Sequence, residues 1–501
     1  MSDHPEMDST FKPAFLLTSG RVMAFLFTFF IPVVLVRVFD PVDFGTYKQL
    51  FLIYTTIFYA AQFGMAESLY YFMPLNPSQS NRYVVNSIVA LAAAGLICLG
   101  LIAVGGVQLS RMLNNDAISK HALSLGIYVL LMLVSAALEI AMIARKHYLW
   151  ASVTYAASDT LRAILLVLPV LFFKRVDWLM FGAVIYALMR CLALIVYLLN
   201  DFKGEMRVDW VCFRNQLRYA IPFGLAIVVG ILQTNFHQYA VSHYFDVATF
   251  AIYSVGCLQI PIVDFIITPA SSVMMVRMSE QIGQGRFDGL IAMWHDMSRK
   301  LALMFFPLVA LLLLNAHNII VLLFTERYVR SVPIFMVWSI AIIFATLPTD
   351  SVLRVFAQTR FLLVLNILSL ALIAFGIRWF LFRFDLIGAV LITVVTSALS
   401  KGLALLRVRS LLRVPVRDLL PWKSLTRMVI AATAACIPTL IFQSQVRLPV
   451  IAMLPITGVV YSSIFLALIL IFGALTEDEA LSMTGWAQRF VAFKLSRTRE
   501  F

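Results

Sequence analysis

The sequence predicts an all-α polytopic membrane protein with about 14 transmembrane helices. Of its 501 residues, 61% are hydrophobic and only 13% are charged, and the mean hydropathy is +0.91. Soluble domains average about 45–50% apolar and about 25% charged residues, so this composition excludes a soluble enzyme or scaffold. The apolar residues form long unbroken runs, unlike the short alternating segments of a membrane β-barrel.

Apolar runs bounded by charged and turn residues place the spans in order. The first six lie near residues 14–36, 47–72, 84–108, 121–143, 151–173 and 178–199. The next six lie near 215–236, 247–272, 300–324, 332–356, 361–382 and 386–406, and the last two near 425–442 and 450–473. The residues before the first run lack the basic region of a signal peptide, so we expect that run to be a span.

The net charge of +13 is explained by topology. With the N-terminus in the cytoplasm, most loop lysines and arginines fall on the cytoplasmic side, as do the longest polar stretches, 201–214, 277–299 and 407–424. This bias predicts a multi-pass membrane protein with both termini in the cytoplasm. A basic belt against anionic lipid accounts for the charge without a nucleic-acid partner.

A short internal repeat predicts the domain organisation. The segment 39–47, FDPVDFGTY, and the segment 245–253, FDVATFAIY, share four identities and both follow the first span of a six-span block. We therefore expect an N-terminal six-helix bundle at 1–200, a second bundle at 201–410 and two additional helices with a cytoplasmic tail at 411–501. Two like bundles would enclose a central cavity and give alternating access by rocking.

Four arginines in the spans are the predicted substrate-binding residues of a cationic cavity. They are Arg21, Arg162, Arg190 and Arg354. A charge inside the bilayer is costly unless it faces a cavity or a partner, and planar guanidinium groups suit a diphosphate. For Arg21 the alternative is a long stem that reaches the cytoplasmic interface.

Four carboxylates are candidates for ion coupling: Glu67, Asp159, Asp264 and Asp350. Asp159 precedes Arg162 by three residues and Asp350 precedes Arg354 by four, spacings that place opposite charges on one helical face. Each pair either satisfies itself or lines the cavity.

Two further titratable residues are expected at the membrane interfaces. For Glu139 the nearby Arg145 and Lys146 favour an interfacial position. A lone histidine near the end of a span, such as His237, is more often solvated than functional.

Sequence motifs for nucleotide or metal chemistry are absent. The chain has no Gly-Lys dipeptide, hence no phosphate-binding P-loop, and no HExxH metal motif. Its five cysteines show no CxxC spacing. We therefore expect no metal, no cofactor and no enzymatic activity, and any uphill transport would draw on an ion gradient or on downstream consumption of the product.

Several segments resemble the Wzx-type polysaccharide and oligosaccharide flippases, within the superfamily that includes multidrug antiporters and lipid II flippases. The resemblance is carried by 35–47 (LVRVFDPVDFGTY), 63–74 (FGMAESLYYFMP), 219–224 (YAIPFG), 250–256 (FAIYSVG) and 331–335 (SVPIF). It covers roughly residues 11–410, and spans 13 and 14 fit the family's fourteen-span members. Arg21 matches the first-span arginine of related lipid II flippases, but Val22 stands where those proteins have an acidic residue.

The resemblance implies a protein that moves an undecaprenyl-diphosphate-linked oligosaccharide from the cytoplasmic to the periplasmic leaflet, for O-antigen, capsule or exopolysaccharide synthesis. Its expected partners are that lipid-linked substrate, membrane lipid, and the glycosyltransferases and polymerase of the pathway. Two alternatives stay open: an ion-coupled multidrug exporter of the same superfamily, and a non-transporting assembly partner in envelope synthesis.

Overall fold

The structure, a computed structural model, describes residues 7–202, 206–287, 289–446 and 448–474. The side chains of residues 7–19, 21 and 26 lie outside the description. Within the described residues every regular element is a helix. The prediction of an all-α chain is confirmed.

Nineteen α-helices make up this part of the chain, joined by three short 3₁₀ turns. They are α1 Met7–Val38, α2 Pro41–Gln62, α3 Leu69–Leu75, α4 Ser80–Met112, α5 Ala117–Ser135, α6 Ala137–Ala144, α7 Tyr148–Phe173, α8 Val176–Asp201, α9 Trp210–Tyr244, α10 Val247–Gly256, α11 Pro261–Gly283, α12 Leu290–Leu314, α13 Ala316–Phe324, α14 Val332–Ile340, α15 Thr349–Val355, α16 Thr359–Leu412, α17 Val416–Leu419, α18 Trp422–Gln445 and α19 Val450–Ile471.

The predicted spans map onto these helices in order. Eleven helical stretches of the described chain are long and apolar enough to cross a membrane. Helix α16 is 54 residues long, and its backbone leaves the helical conformation at Asp385, so it contains both span 11 and span 12. The shorter apolar stretches Val22–Val38 and Val247–Gly256 belong to spans 1 and 8. The chain is a multi-pass membrane protein.

Several predicted spans are interrupted within the described residues, and spans 2 and 8 show this most clearly. Span 2 divides into α2 and α3, because Phe63 and Gly64, with φ of 47° and 75°, turn the chain out of the helix. Span 8 divides between Gly256 and Pro261, the first residue of α11. In a bilayer, non-helical backbone is tolerated only where protein or a water-filled cavity covers it. Each of these two spans has a single range in the sequence prediction.

The helices group into two compact units. The first contains Met1–Gln259, Leu323–Ile334 and Leu363–Thr396, and the second contains Ile260–Leu322, Phe335–Leu362 and Ser397–Phe501. The predicted division at 1–200, 201–410 and 411–501 stays a prediction, because the grouping of neighbouring helices does not test an internal repeat.

In the first unit, α1 packs along α7, α4 along α5, and α8 against both α5 and α7. Small residues allow the helix backbones to approach closely, as is common between membrane helices. At Gly182 of α8, a Cβ atom would lie 1.9 Å from the carbonyl oxygen of Leu165 on α7. These contacts place the charged residues of α7 and α8 beside one another.

The two copies of the sequence repeat also meet in the first unit. Asp40 caps α2, where its carboxylate accepts the backbone amides two and three residues on, at 2.9 and 2.8 Å. Asp246 caps α10 in the same way, from the amide three residues on at 2.6 Å. Helices α2 and α10 pack together at Gly45, where a Cβ atom would lie 2.2 Å from the carbonyl oxygen of Val247. The repeated aspartates therefore have the same local role.

In the second unit, α18 and α19 pack on α12 around a buried cluster. Ala302, Met428, Ala435, Tyr461 and Phe465 form its centre. The Tyr461 hydroxyl donates to the carbonyl of residue 432 at 3.0 Å, so this polar group is satisfied inside the apolar core. The last two helices are therefore an integral part of this unit.

Candidate functional site

The first unit brings three of the predicted site residues into one charged cluster on α7 and α8. Asp159 interacts electrostatically with Arg162, one turn away, and with Arg190 on α8. The predicted Asp159–Arg162 ion pair does not form: within the described residues, no ion pair of 4.0 Å or less involves either side chain. The positive charge of Arg162 is therefore balanced only at longer range.

Arg162 lies against an aromatic layer. Its guanidinium carbon is 5.8 Å from the ring centre of Phe51 on α2, and its Nε atom is buried with no hydrogen-bond partner among the described residues. Tyr54, Tyr128 and Tyr186 interact electrostatically with the same guanidinium, and each is at most 5% exposed. A cation held by ring faces and phenol groups stays available to an anion, because no carboxylate of the described chain neutralises it at contact distance.

Sequence analysis missed this layer although a signal was present. Tyr47, Phe51 and Tyr54 recur at i, i+4 and i+7 on α2, and the rings of Tyr54 and Tyr128 lie 4.6 Å apart. Such spacing is typical of one helical face. Nothing in the chain order indicates that Tyr128 on α5 and Tyr186 on α8 complete the layer.

Arg190 has a dedicated partner in Glu139 of α6. The Nη1 and Nη2 atoms of Arg190 donate to the two carboxylate oxygens of Glu139, each at 2.8 Å. The side chains are only 12% and 5% exposed. The prediction that Glu139 is interfacial was wrong, because Arg190 reaches it from another helix whereas the sequence shows only Arg145 and Lys146 beside it.

In the second unit, Asp350 pairs with a residue that sequence analysis did not consider. Lys401 of α16 donates to the Asp350 carboxylate at 2.9 Å and to the Thr349 hydroxyl at 3.1 Å. The sequence spacing left open whether Asp350 pairs with Arg354 or both line the cavity, and the contact partner of Asp350 is Lys401. Arg354 is exposed and has no ion pair of 4.0 Å or less to any described residue. Asp350 and Arg354 thus lie on one short helix, with Lys401 as the contact cation.

Glu67 lies in the break between α2 and α3, where the chain is not helical. One of its carboxylate oxygens is buried without a hydrogen-bond partner in the described part of the chain. The next residue, Ser68, accepts from the Gln216 side chain of α9 at 3.1 Å. The break is therefore supported by a buried polar network, and it contains one of the four predicted coupling carboxylates.

Three further residues were singled out from the sequence: Asp264, His237 and Arg21. Asp264, in the first turn of α11, is exposed. His237 is 1% exposed, and its Nδ1 atom is hydrogen-bonded to the Tyr253 hydroxyl at 2.6 Å, so the prediction of a solvated histidine was wrong. Arg21 belongs to α1, but its side chain lies outside the described atoms. No three metal-ligating side chains come together among the described residues.

A family model described as "Polysaccharide biosynthesis protein" matches residues 34–333. The chain belongs to this family. The match covers α2 to α13, and therefore every charged residue of the first unit's cluster. The resemblance inferred from the sequence motifs is confirmed. No curated protein matches this polysaccharide biosynthesis protein significantly in sequence.

Solved structures share the fold of this polysaccharide biosynthesis protein at low sequence identity. The lipid II flippase MurJ in an inward closed conformation is 12% identical, with a TM-score of 0.67 over 90% of this chain and 98% of its own. An inward-facing multidrug resistance transporter of the MATE family is 13% identical, with a TM-score of 0.60 over 78% of this chain and 95% of its own.

A third similar structure is a transporter of the same superfamily from Pyrococcus furiosus, described by a binding pocket of reverse polarity that suggests a different function. It is 13% identical, with a TM-score of 0.57 over 80% of this chain and 96% of its own. These similarities show a common fold of the MurJ and MATE kind.

Proposed function

We propose that the protein is a flippase that moves an undecaprenyl-diphosphate-linked oligosaccharide from the cytoplasmic to the periplasmic leaflet of the bacterial inner membrane. Family membership places the chain in polysaccharide biosynthesis, and MurJ, which has the same fold, is a lipid II flippase. The observation that carries the proposal is Arg162, an intramembrane cation whose buried Nε atom has no hydrogen-bond partner and no carboxylate at contact distance in the described chain.

The charges support an anionic rather than a cationic substrate. A guanidinium group binds a diphosphate through several charge-assisted hydrogen bonds. Arg162 and Arg354 are free of ion pairs within the described chain, whereas Arg190 is occupied by Glu139. Arg162 is therefore the principal headgroup ligand of this proposal; Arg21 and Arg354 stay candidate ligands from the sequence, and Arg190 acts mainly by fixing α6 against α8.

Alternating access of two six-helix bundles, 1–200 and 201–410, is the proposed mechanism. The substrate enters from the cytoplasmic leaflet, its diphosphate is held by the arginines, and its lipid tail stays in the bilayer. Both termini remain in the cytoplasm. Glu67, Asp159, Asp264 and Asp350 are the proposed ion-coupling residues, and the protein acts with the glycosyltransferases and polymerase of its pathway without catalysing a reaction itself.

The test is translocation by the purified protein in proteoliposomes. The substrate is a lipid-linked oligosaccharide in the inner leaflet, and the readout is its exposure to a membrane-impermeant glycosidase added outside. We expect transport by the wild type, and at least a tenfold loss in Arg162→Gln and Arg354→Gln. Arg378→Gln, which removes an arginine of α16 outside the proposed site, should transport normally.

The result also separates the alternatives. A multidrug exporter would move a lipophilic cation and leave the oligosaccharide lipid in place. An assembly partner would move neither, while its deletion still altered surface polysaccharide. Arg21→Ala should reduce export far more than Arg447→Ala; the Arg21 side chain and Arg447 lie outside the described atoms, so this comparison rests on the sequence alone.

A further inference from the structure

A basic pocket lies in the second unit, where α18 begins and α19 ends. Its volume is about 540 Å³. Arg299, Arg417, Lys423 and Arg427 line it, with Asp418 as the one carboxylate among the described lining residues. None of these residues belongs to the charged sites described above, and the proposed transport mechanism does not use them.

The four cations of the pocket differ in their partners, and Arg299 already forms an ion pair with Asp296 at 3.7 Å. Arg427 donates to the carbonyl of Gly473 at 2.8 Å, which satisfies a hydrogen bond but not its charge. Arg417 and Lys423 are exposed, and neither has an ion pair of 4.0 Å or less with a described residue. Several like charges around one concave surface repel one another, so an anion bound there lowers the free energy of the pocket.

Two side chains of α12 hold the backbone of the pocket wall in place by hydrogen bonds. The indole Nε1 of Trp294, a fully buried residue of α12, donates to the carbonyl of Leu419 at 2.8 Å. The Nε2 atom of His295 is hydrogen-bonded to the backbone carbonyl of Asp418 at 2.8 Å. These two bonds hold the connector that carries Arg417, so the binding groups are positioned before a ligand arrives.

The amino terminus of α18 adds to the positive potential. This helix is 24 residues long and begins at Trp422, and its cap residue, Pro421, has no side chain that accepts a hydrogen bond from the first turn. The amides of Trp422 and Ser424 already donate to the carbonyls of Leu420 and Pro421, at 2.8 and 3.0 Å, so the terminus attracts an anion mainly through the partial positive charge of the helix dipole. The cationic side chains and the helix terminus thus favour the same kind of ligand.

The position of the pocket indicates which kind of anion it binds. Trp422 is 50% exposed, as is common for an indole at the membrane interface. Leu470 and Ile471, three and two residues before Gly473 of the pocket rim, are 57% and 74% exposed at the end of an apolar helix. An anion bound here has a lipid-facing apolar surface directly beside it, which suits a molecule with both a phosphate and acyl chains.

We propose that this basic pocket binds the headgroup phosphate of an anionic phospholipid of the surrounding bilayer. Arg417 and Lys423 are the principal ligands, Arg427 and Arg299 add charge behind them, and Trp422 packs at the glycerol level. The charge bias of the loops assigns the pocket to the cytoplasmic leaflet. The proposal does not depend on the transported substrate.

The test compares phosphatidylglycerol with zwitterionic phosphatidylcholine as ligands of the purified full-length protein. Native mass spectrometry measures retained lipid, and thermal unfolding measures stabilisation. We expect retention of phosphatidylglycerol by the wild type and a roughly tenfold or greater loss of affinity in the double variant Arg417→Gln, Lys423→Gln, because each basic residue at a membrane surface contributes to anionic-lipid binding.

A matched control removes the same charge elsewhere. Arg277→Gln, Arg286→Gln changes two exposed arginines near the end of α11, away from the pocket, and should retain the lipid as the wild type does. Equal loss in both double variants would show unspecific attraction and overturn the proposal. Equal thermal stability of all proteins in phosphatidylcholine shows that the substitutions leave the fold intact.

Two further measurements in the same experiment identify the anion. Inorganic phosphate at millimolar concentration should stabilise the wild type much less than phosphatidylglycerol; equal stabilisation would make this a free-anion site and overturn the lipid assignment. The sequence also places Glu477, Asp478 and Glu479 shortly after Ala474 of the pocket. If lipid bound only to the variant with all three neutralised, the chain's own carboxylates would be the natural occupants and the proposal would fail.

Discussion

At the scale of single residues, Arg190 and Arg162 show two ways in which a membrane helix keeps an arginine. Arg190 has a complete counter-charge in Glu139, with both terminal guanidinium nitrogens engaged. Arg162 has aromatic neighbours and only longer-range negative charge. Because a buried pair is already neutral, it gains little from binding an anion, whereas an unpaired cation gains much. We therefore expect the two residues to differ in function although both lie inside spans.

The Arg190–Glu139 pair should behave as a structural unit. Breaking it in Glu139→Gln or Arg190→Gln leaves one buried charge uncompensated, and we expect a loss of about 3–5 kcal/mol in stability. The double variant Glu139→Gln, Arg190→Gln should recover part of that loss, because no charge remains. Thermal unfolding of the purified protein measures both effects, with Glu280→Gln, an exposed carboxylate, as control. Additive losses in the double variant would contradict this account.

Asp350 and Lys401 form a more exposed ion pair, and we expect substitutions in it to change anion binding rather than stability. The two side chains are 57% and 26% exposed, so the pair contributes little to stability. If the proposed function holds, an incoming diphosphate would compete with Asp350 for the Lys401 ammonium group. We expect Asp350→Asn to strengthen binding of inorganic pyrophosphate several-fold and Lys401→Gln to weaken it, measured by calorimetry on the purified protein. Changes of the same sign in both variants would contradict the competition.

At the scale of elements, the positions of helices followed from the sequence but their interruptions did not. Long apolar runs predict spans because lipid requires every backbone group to be paired within the helix. The break at residues 63–68 escapes this reasoning, since it depends on Phe63 and Gly64 adopting positive φ. Its stability comes from Gln216, which donates to Ser68 from a helix far along the chain.

The contact between the repeat copies is sensitive to volume. A methyl group at Gly45 would meet the Val247 carbonyl oxygen at 2.2 Å, which requires the α2 and α10 backbones to separate. We expect Gly45→Ala to lower stability by about 1–3 kcal/mol. Gly100→Ala on α4 is the matched control, since no atom of the described residues lies within 4 Å of the place its methyl group would take; it should be neutral or stabilising. Equal effects in thermal unfolding would contradict the close packing.

The stability that the Asp209 cap contributes at the start of α9 should depend on pH. The Asp209 carboxylate accepts the backbone amides of Cys212 and Val211 and an Arg82 hydrogen bond, and these interactions lower its pKa. A lowered pKa gives stability that is present above the unfolded-state value of about 3.9 and lost as pH falls through the folded-state value. Asp209→Asn keeps a capping side chain but no charge. Its stability deficit at pH 7 should therefore shrink toward pH 3, as measured by thermal unfolding at both pH values.

At the scale of the whole molecule, the family and fold could be predicted from the sequence, and the partners of the charges could not. Composition and span order predicted the polytopic fold, and short motifs indicated a polysaccharide biosynthesis family. The spacings i, i+3 and i, i+4 left the pairing of these charges open, and Asp350 contacts Lys401 on another helix. Helical spacing describes one face of one helix, whereas the partner of an intramembrane charge is set by helix packing.

Which energy source drives transport is a property of the whole molecule, and substitution of one residue, Glu67, can test it. Glu67 combines a break in its span with a buried carboxylate oxygen that has no partner among the described residues, a setting typical of ion sites in transporters. Transport in proteoliposomes should be several-fold faster with an imposed proton gradient in the wild type. Glu67→Gln should abolish that acceleration while leaving slow, gradient-independent movement, because the amide cannot exchange the proton. Glu280→Gln should respond as the wild type does, and a gradient response retained by Glu67→Gln would remove Glu67 from the coupling mechanism.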